Sequence, residues 1–142
     1  PCGNVKSDRL KLIEVTEQSF FEGLKYAHPG NRLSDISHAI EMYAKKFNYG
    51  VVRDFTGHGV GSKLHEDPAV PNYGKEGMGP VLRKGMTLAI EPMINMGTYK
   101  VKILADGWTT ITSDHSPSAH YENSIVITDN GYEILTKIKE ND

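Results

Sequence analysis

The amino-acid sequence predicts an α+β fold in which two helices precede a curved, mainly antiparallel sheet. Three observations lead there. Apolar residues recur at helical spacing in two early segments, the period shortens to two after Gly50, and an Asn-Gly turn near residue 130 separates two β-like runs.

The first helix is predicted over residues 7–27, with Leu10, Ile13, Phe20, Leu24 and Ala27 on one face, Ser7 as cap and His28-Pro29-Gly30 as the stop. The second covers 34–48, capped by Ser34 and ended by Tyr49-Gly50, and buries Ile36, Ile40, Tyr43 and Phe47. Residues 51–55, 86–94, 108–112, 119–128 and 132–137 then read as strands bounded by Gly, Pro and Asn. Asp129-Asn130-Gly131 makes the last two antiparallel neighbours, because Asn-Gly favours the positive φ of a type I′ turn. Residues 65–84 are rich in Pro and Gly without a period, which predicts a long ordered loop or lid of the kind that borders sites. No repeat or linker interrupts the chain, so residues 1–142 are expected to form a single unit.

Composition narrows the function classes. Charged residues make up 24% of the chain, yet the net charge is only -2 and the signs are mixed, so there is no basic stripe for nucleic acid. No apolar run approaches the roughly 20 residues that cross a bilayer, and residues 1–9 lack the apolar core of a signal peptide, which predicts a cytoplasmic protein without membrane contact. The lone Cys2 excludes a disulfide framework and a Cys-rich zinc site, and is expected at the surface.

Four residues draw attention as chemistry. In Phe55-Thr56-Gly57-His58-Gly59-Val60-Gly61, three glycines surround a histidine, either to let the backbone approach a ligand or to make a tight turn with His58 exposed. His65 follows beside Glu66 and Asp67, aimed at the same cavity or simply solvated. Glu91 ends an apolar strand on the face of Thr87 and Ala89, where a carboxylate needs a metal or a Lys or Arg partner to offset desolvation. Glu122 stands likewise on the face of His120 and Ser124. One imidazole and two carboxylates are an oxygen-rich set with one nitrogen, suited to Mn, Fe or Co more than to a closed thiolate zinc site. Trp108, the only tryptophan, either lines a pocket or packs in the core.

Taken in order, Gly57-His58-Gly59-Val60-Gly61, His65-Glu66-Asp67-Pro68, Gly85-Met86-Thr87-Leu88-Ala89-Ile90-Glu91-Pro92-Met93, Asp106-Gly107-Trp108 and Ala119-His120-Tyr121-Glu122 resemble type I methionine aminopeptidases. The resemblance implies the C-terminal half of a pita-bread fold, with residues 1–142 a fragment of the catalytic domain. It implies a metalloaminopeptidase that removes the initiator methionine from nascent proteins, with a Met-bearing N-terminus as substrate and two divalent ions, whether Mn, Fe, Co or Zn. By that similarity His58 and Glu91 bind one metal, Glu122 bridges both, Glu91 shuttles the water's proton, and His65 contacts the substrate and steadies the tetrahedral intermediate. Leu64 and Trp108 match positions bordering the methionine pocket.

The family completes its site with two upstream aspartates eleven residues apart. The aspartates here, Asp8, Asp35, Asp54, Asp67, Asp106, Asp114, Asp129 and Asp142, include no such pair. The expectation is therefore a chain that is incomplete alone and partners the missing N-terminal half of the same enzyme. His120 stands where the family often has Gln, and Leu64 where an aromatic is usual. A non-catalytic pita-bread binding module and a related X-Pro aminopeptidase are the alternatives.

Overall fold

Two helices, α1 (Ser7–Leu24) and α2 (Leu33–Lys45), cross each other and cover one face of two small antiparallel sheets. The structure, a computed structural model, describes residues 1–137. The strands are β1 (Gly50–Val51), β2 (Gly57–Gly59), β3 (Glu66–Val70), β4 (Thr87–Ile90), β5 (Met93–Asn95), β6 (Val101–Ile103), β7 (Thr110–Thr112), β8 (Ser118–His120), β9 (Asn123–Ile127) and β10 (Tyr132–Ile134). They form a five-stranded sheet ordered β10-β9-β4-β2-β3, a three-stranded sheet ordered β1-β5-β8, and a separate β6-β7 hairpin.

The buried face of α1 differs from the expected one. Leu12, Val15, Thr16, Ser19, Phe20, Gly23 and Leu24 face inward, while Leu10 and Ile13 are 43% and 40% exposed. Hydroxyls disguise this stripe: Thr16 donates to the Leu12 carbonyl at 2.8 Å and Ser19 to that of Thr16 at 2.7 Å, so both are buried at no cost in unpaired groups. Gly23 allows the crossing, because a Cβ there would stand 2.8 Å from Ile40 Cγ1.

In α2, Ile36 and Ile40 are buried as expected, whereas Tyr43 and Phe47 are only half-buried. The cap is not Ser34. The helix begins one residue earlier, where Asp35 accepts the Arg32 N–H at 2.8 Å, and Ser34 Oγ instead accepts the Met78 N–H at 2.6 Å. That bond belongs to a series fixing the Pro- and Gly-rich segment to α2. Gly77 N–H reaches Asp35 at 2.7 Å, Gly74 N–H reaches Glu41 at 3.0 Å, and the Leu33 N–H reaches the Pro80 carbonyl at 3.0 Å. Residues 65–84 are therefore an edge strand, β3, followed by an anchored loop. Pro68 is tolerated in β3 because that strand lies at the sheet edge.

Other strand expectations need correction. The run 51–55 pairs only through β1, and the segment 86–94 is two strands, β4 and β5, in different sheets. The run 119–128 divides the same way into β8 and β9, and β6 was not expected. The last hairpin holds, with Tyr132 opposite Ile127, but its four-residue connection places only Gly131 at positive φ, so the turn is not type I′. Cys2 is exposed, as expected. Among the described residues no helix is long and apolar enough to cross a membrane.

Phe20, Leu24, Leu33, Ile36 and Ile40 pack on Val70, Leu88, Ile90, Ile125 and Ile127 of the larger sheet. Leu12, Ala44, Val51 and Ile94 form a smaller cluster against the three-stranded one.

Candidate metal centre

His58 lies within β2, between Gly57 and Gly59, and not on a turn after a strand. Its glycine neighbours serve the sheet. A Cβ on Gly57 would run into the Ala89 carbonyl of β4, and one on Gly59 into the Asp67 carbonyl of β3. The close approach they permit is to neighbouring strands.

The register sets the site's face. His58 pairs with Ala89, which pairs with Ser124, so the three share the side opposite to the helix-packed Leu88 and Ile125. Two residues on from Ala89 is Glu91, and two back from Ser124 is Glu122. Both glutamates occupy the breaks where the chain passes between sheets: Glu91-Pro92 links β4 to β5, and Tyr121-Glu122 links β8 to β9. Pro92 has no N–H to offer a ladder, and its carbonyl accepts the Tyr121 N–H at 3.2 Å. The Glu91 carbonyl is held by the side chain of Asn72, fully buried in the anchored loop, at 3.0 Å. Sequence reasoning missed Asn72, since nothing local distinguishes a buried loop asparagine from a turn residue.

His58, Glu91 and Glu122 each offer one ligand atom, and these atoms all lie within 4.8 Å of one another. A carbonyl oxygen can only accept, so the 2.8 Å contact from His58 Nδ1 to the Gly59 oxygen places a proton on Nδ1. Nε2, the other ring nitrogen, faces Glu91 Oε1, 3.6 Å away. A nitrogen and a carboxylate oxygen at that separation can hold a cation between them. Among the described residues no Lys or Arg pairs with Glu91 or Glu122, which removes the simple ion-pair account of Glu91. The donor set fits a divalent ion.

His65 stacks near His58, with ring centroids 4.2 Å apart and planes tilted by 56°. Both line an open cleft of about 550 Å³ with Thr56, Lys63 and Asp67. His120 lies on the other side of Glu91, where the hydrogen bond it donates to that carboxylate raises its pKa above the usual histidine value, against a lowering by burial and with further help from the charges of Glu91 and Glu122. Leu64 is 72% exposed and Trp108 88% exposed, and neither lines this cleft. Trp108 is thus no core aromatic.

Comparison with known proteins gives this arrangement a family. The chain matches metallopeptidase family M24 over residues 1–129. It belongs to that family. As an M24 chain it is 57% identical over 137 residues to methionine aminopeptidase of Clostridium perfringens, which takes in 96% of this chain and 55% of that protein. The crystal structure of methionine aminopeptidase from Thermotoga maritima superposes with a TM-score of 0.93 at 49% identity, covering 96% of this chain and 55% of its own. An X-Pro aminopeptidase from the same organism gives 0.71 at 18% identity, over 98% of this chain and 34% of its own, which is a likeness of fold. The M24 chain spans about half the length of the curated relatives it matches. Its architecture agrees with the expected half of a pita-bread fold, and within this M24 chain the His58-Glu91-Glu122 group is one that could hold a metal ion.

Proposed function

We propose that this chain is the part of a type I methionine aminopeptidase that carries His58, Glu91 and Glu122, and that the assembled enzyme removes the initiator methionine from nascent proteins in the cytoplasm. The convergence of those three side chains within 4.8 Å is the observation that carries the reading. His58 and Glu91 would hold one ion, Glu122 would bridge it to a second, and an aspartate pair outside these 142 residues would complete the second position. When bound, the metal pair supplies Lewis acidity toward water and the scissile carbonyl.

The chain's own residues do the rest. Glu91 accepts a proton from the attacking water and returns it to the departing amine. His65, at the mouth of the cleft beside His58, donates a hydrogen bond to the carbonyl oxygen as it gains charge. Leu64 and Trp108 are large apolar side chains left open to solvent, which supports a role as pocket wall once the remaining segment is in place.

The methionine reading is preferred to the X-Pro one because identity to the former is 45–57% and to the latter 18%. It is preferred to a binding module because Glu91 is mostly buried with no Lys or Arg partner among the described residues, and such a carboxylate is costly to keep unless it binds metal. The test is hydrolysis of Met-Ala-Ser and of an X-Pro peptide with Mn2+ or Co2+, using the chain alone and joined with the segment bearing the aspartate pair. Cleavage of Met-Ala-Ser by the joined protein is expected. Full activity of the chain alone, or a preference for the X-Pro peptide, would overturn the reading.

A further inference from the structure

The Glu91 carboxylate has an imidazole at each of its oxygens. Oε1 faces His58 Nε2 at 3.6 Å, and Oε2 faces His120 Nε2 at 3.4 Å. His120 Nε2 also stands 4.0 Å from Glu122 Oε2. Donors bound to one ion at about 2.1 Å lie roughly 3.0 Å apart at a right angle and roughly 3.4 Å apart at the tetrahedral angle. The His120–Glu91 spacing already has that length. The Glu122 spacing reaches it through a sub-ångström turn of a side chain that is 44% exposed.

His120 reaches this point from β8, and His58 from β2, on opposite sides of Glu91. The proposed function uses His58 and leaves His120 without a task. We propose that His120, Glu91 Oε2 and Glu122 Oε2 form a further divalent-cation position adjoining the one at His58, built wholly from this chain. The inference rests on the reading of Glu91 and Glu122 as metal ligands. One nitrogen and two carboxylate oxygens with open coordination positions select Mn, Fe, Co or Zn over Ca. Two dications around two carboxylates leave net positive charge, so the second ion binds more weakly than the first.

Calorimetric titration of Co2+ into the intact chain, with the cobalt visible absorption followed in parallel, tests this. Two sequential ions are expected for the unaltered chain. H120A and H120Q should each weaken the second by at least about tenfold and leave the first within about threefold, whereas H58A should remove the first. Equal second-ion binding by H120Q and the unaltered chain would overturn the position, because it would make His120 a hydrogen-bond donor to Glu91 that an amide replaces. A single ion, lost in H58A and untouched in H120A, would also overturn it while leaving the His58 reading standing. No binding by the unaltered chain would reject both.

Discussion

On the helix side of the five-stranded sheet, Leu88, Ile90, Ile125 and Ile127 are closed over by Phe20, Ile36 and Ile40. On the other side the same strands present His58, Ala89 and Ser124 and lead into Glu91 and Glu122. The first side is complete within the chain: its apolar groups are covered, and hydroxyls such as Thr16 and Ser19 bond to their own helix. The second side gathers two carboxylates that no Lys or Arg pairs with among the described residues. One face holds the fold together, and the other carries the candidate site.

That contrast makes the two faces separable by substitution. Phe20→Ala should cost about 3–5 kcal/mol of folding stability in urea denaturation, since a fully buried ring is replaced by a cavity. Glu91→Gln should lower Co2+ affinity by roughly a hundredfold in calorimetry, yet change folding stability by less than about 1 kcal/mol, because it removes one of two facing carboxylates. A Glu91→Gln protein as unstable as Phe20→Ala would erase the distinction. Ser34→Ala should cost about 1 kcal/mol by freeing the Met78 N–H, and should speed hydrogen exchange in residues 74–80 before anywhere else.

The smallest effect lies away from both faces. Asp114 accepts N–H bonds from Thr98 and Ser116, which lower its pKa from 3.8 to about 2. A depressed carboxyl pKa stabilises the fold above its unfolded value and ceases to do so as pH falls through the folded one. A small loss of stability is therefore expected between about pH 4 and pH 2, and Asp114→Asn should flatten it in acid titrations followed by circular dichroism.

Much of this was legible in the sequence where the local pattern and the tertiary environment agree. Ile36 and Ile40 follow the helical period and are buried, and the alternation through Ala89 to Glu91 and from Glu122 to Ser124 gave the face on which the cluster forms. The stripe of α1 was hidden because Thr16, Ser19 and Gly23 satisfy burial by backbone bonding or by small size, which a hydrophobic period does not register. The sheet crossings were hidden because residues 86–94 and 119–128 keep a strand-like pattern straight through the break. Asn72 and His120 gain meaning only from what lies across from them in space.

The two crossings also have a mechanical meaning. Glu91 and Glu122 hang from adjacent links between the same pair of sheets, held in step by the Pro92–Tyr121 bond and clamped by Asn72. A small change in the angle between the sheets is thereby translated into a change in the gap between the carboxylates, as a hinge pin registers the opening of its leaves.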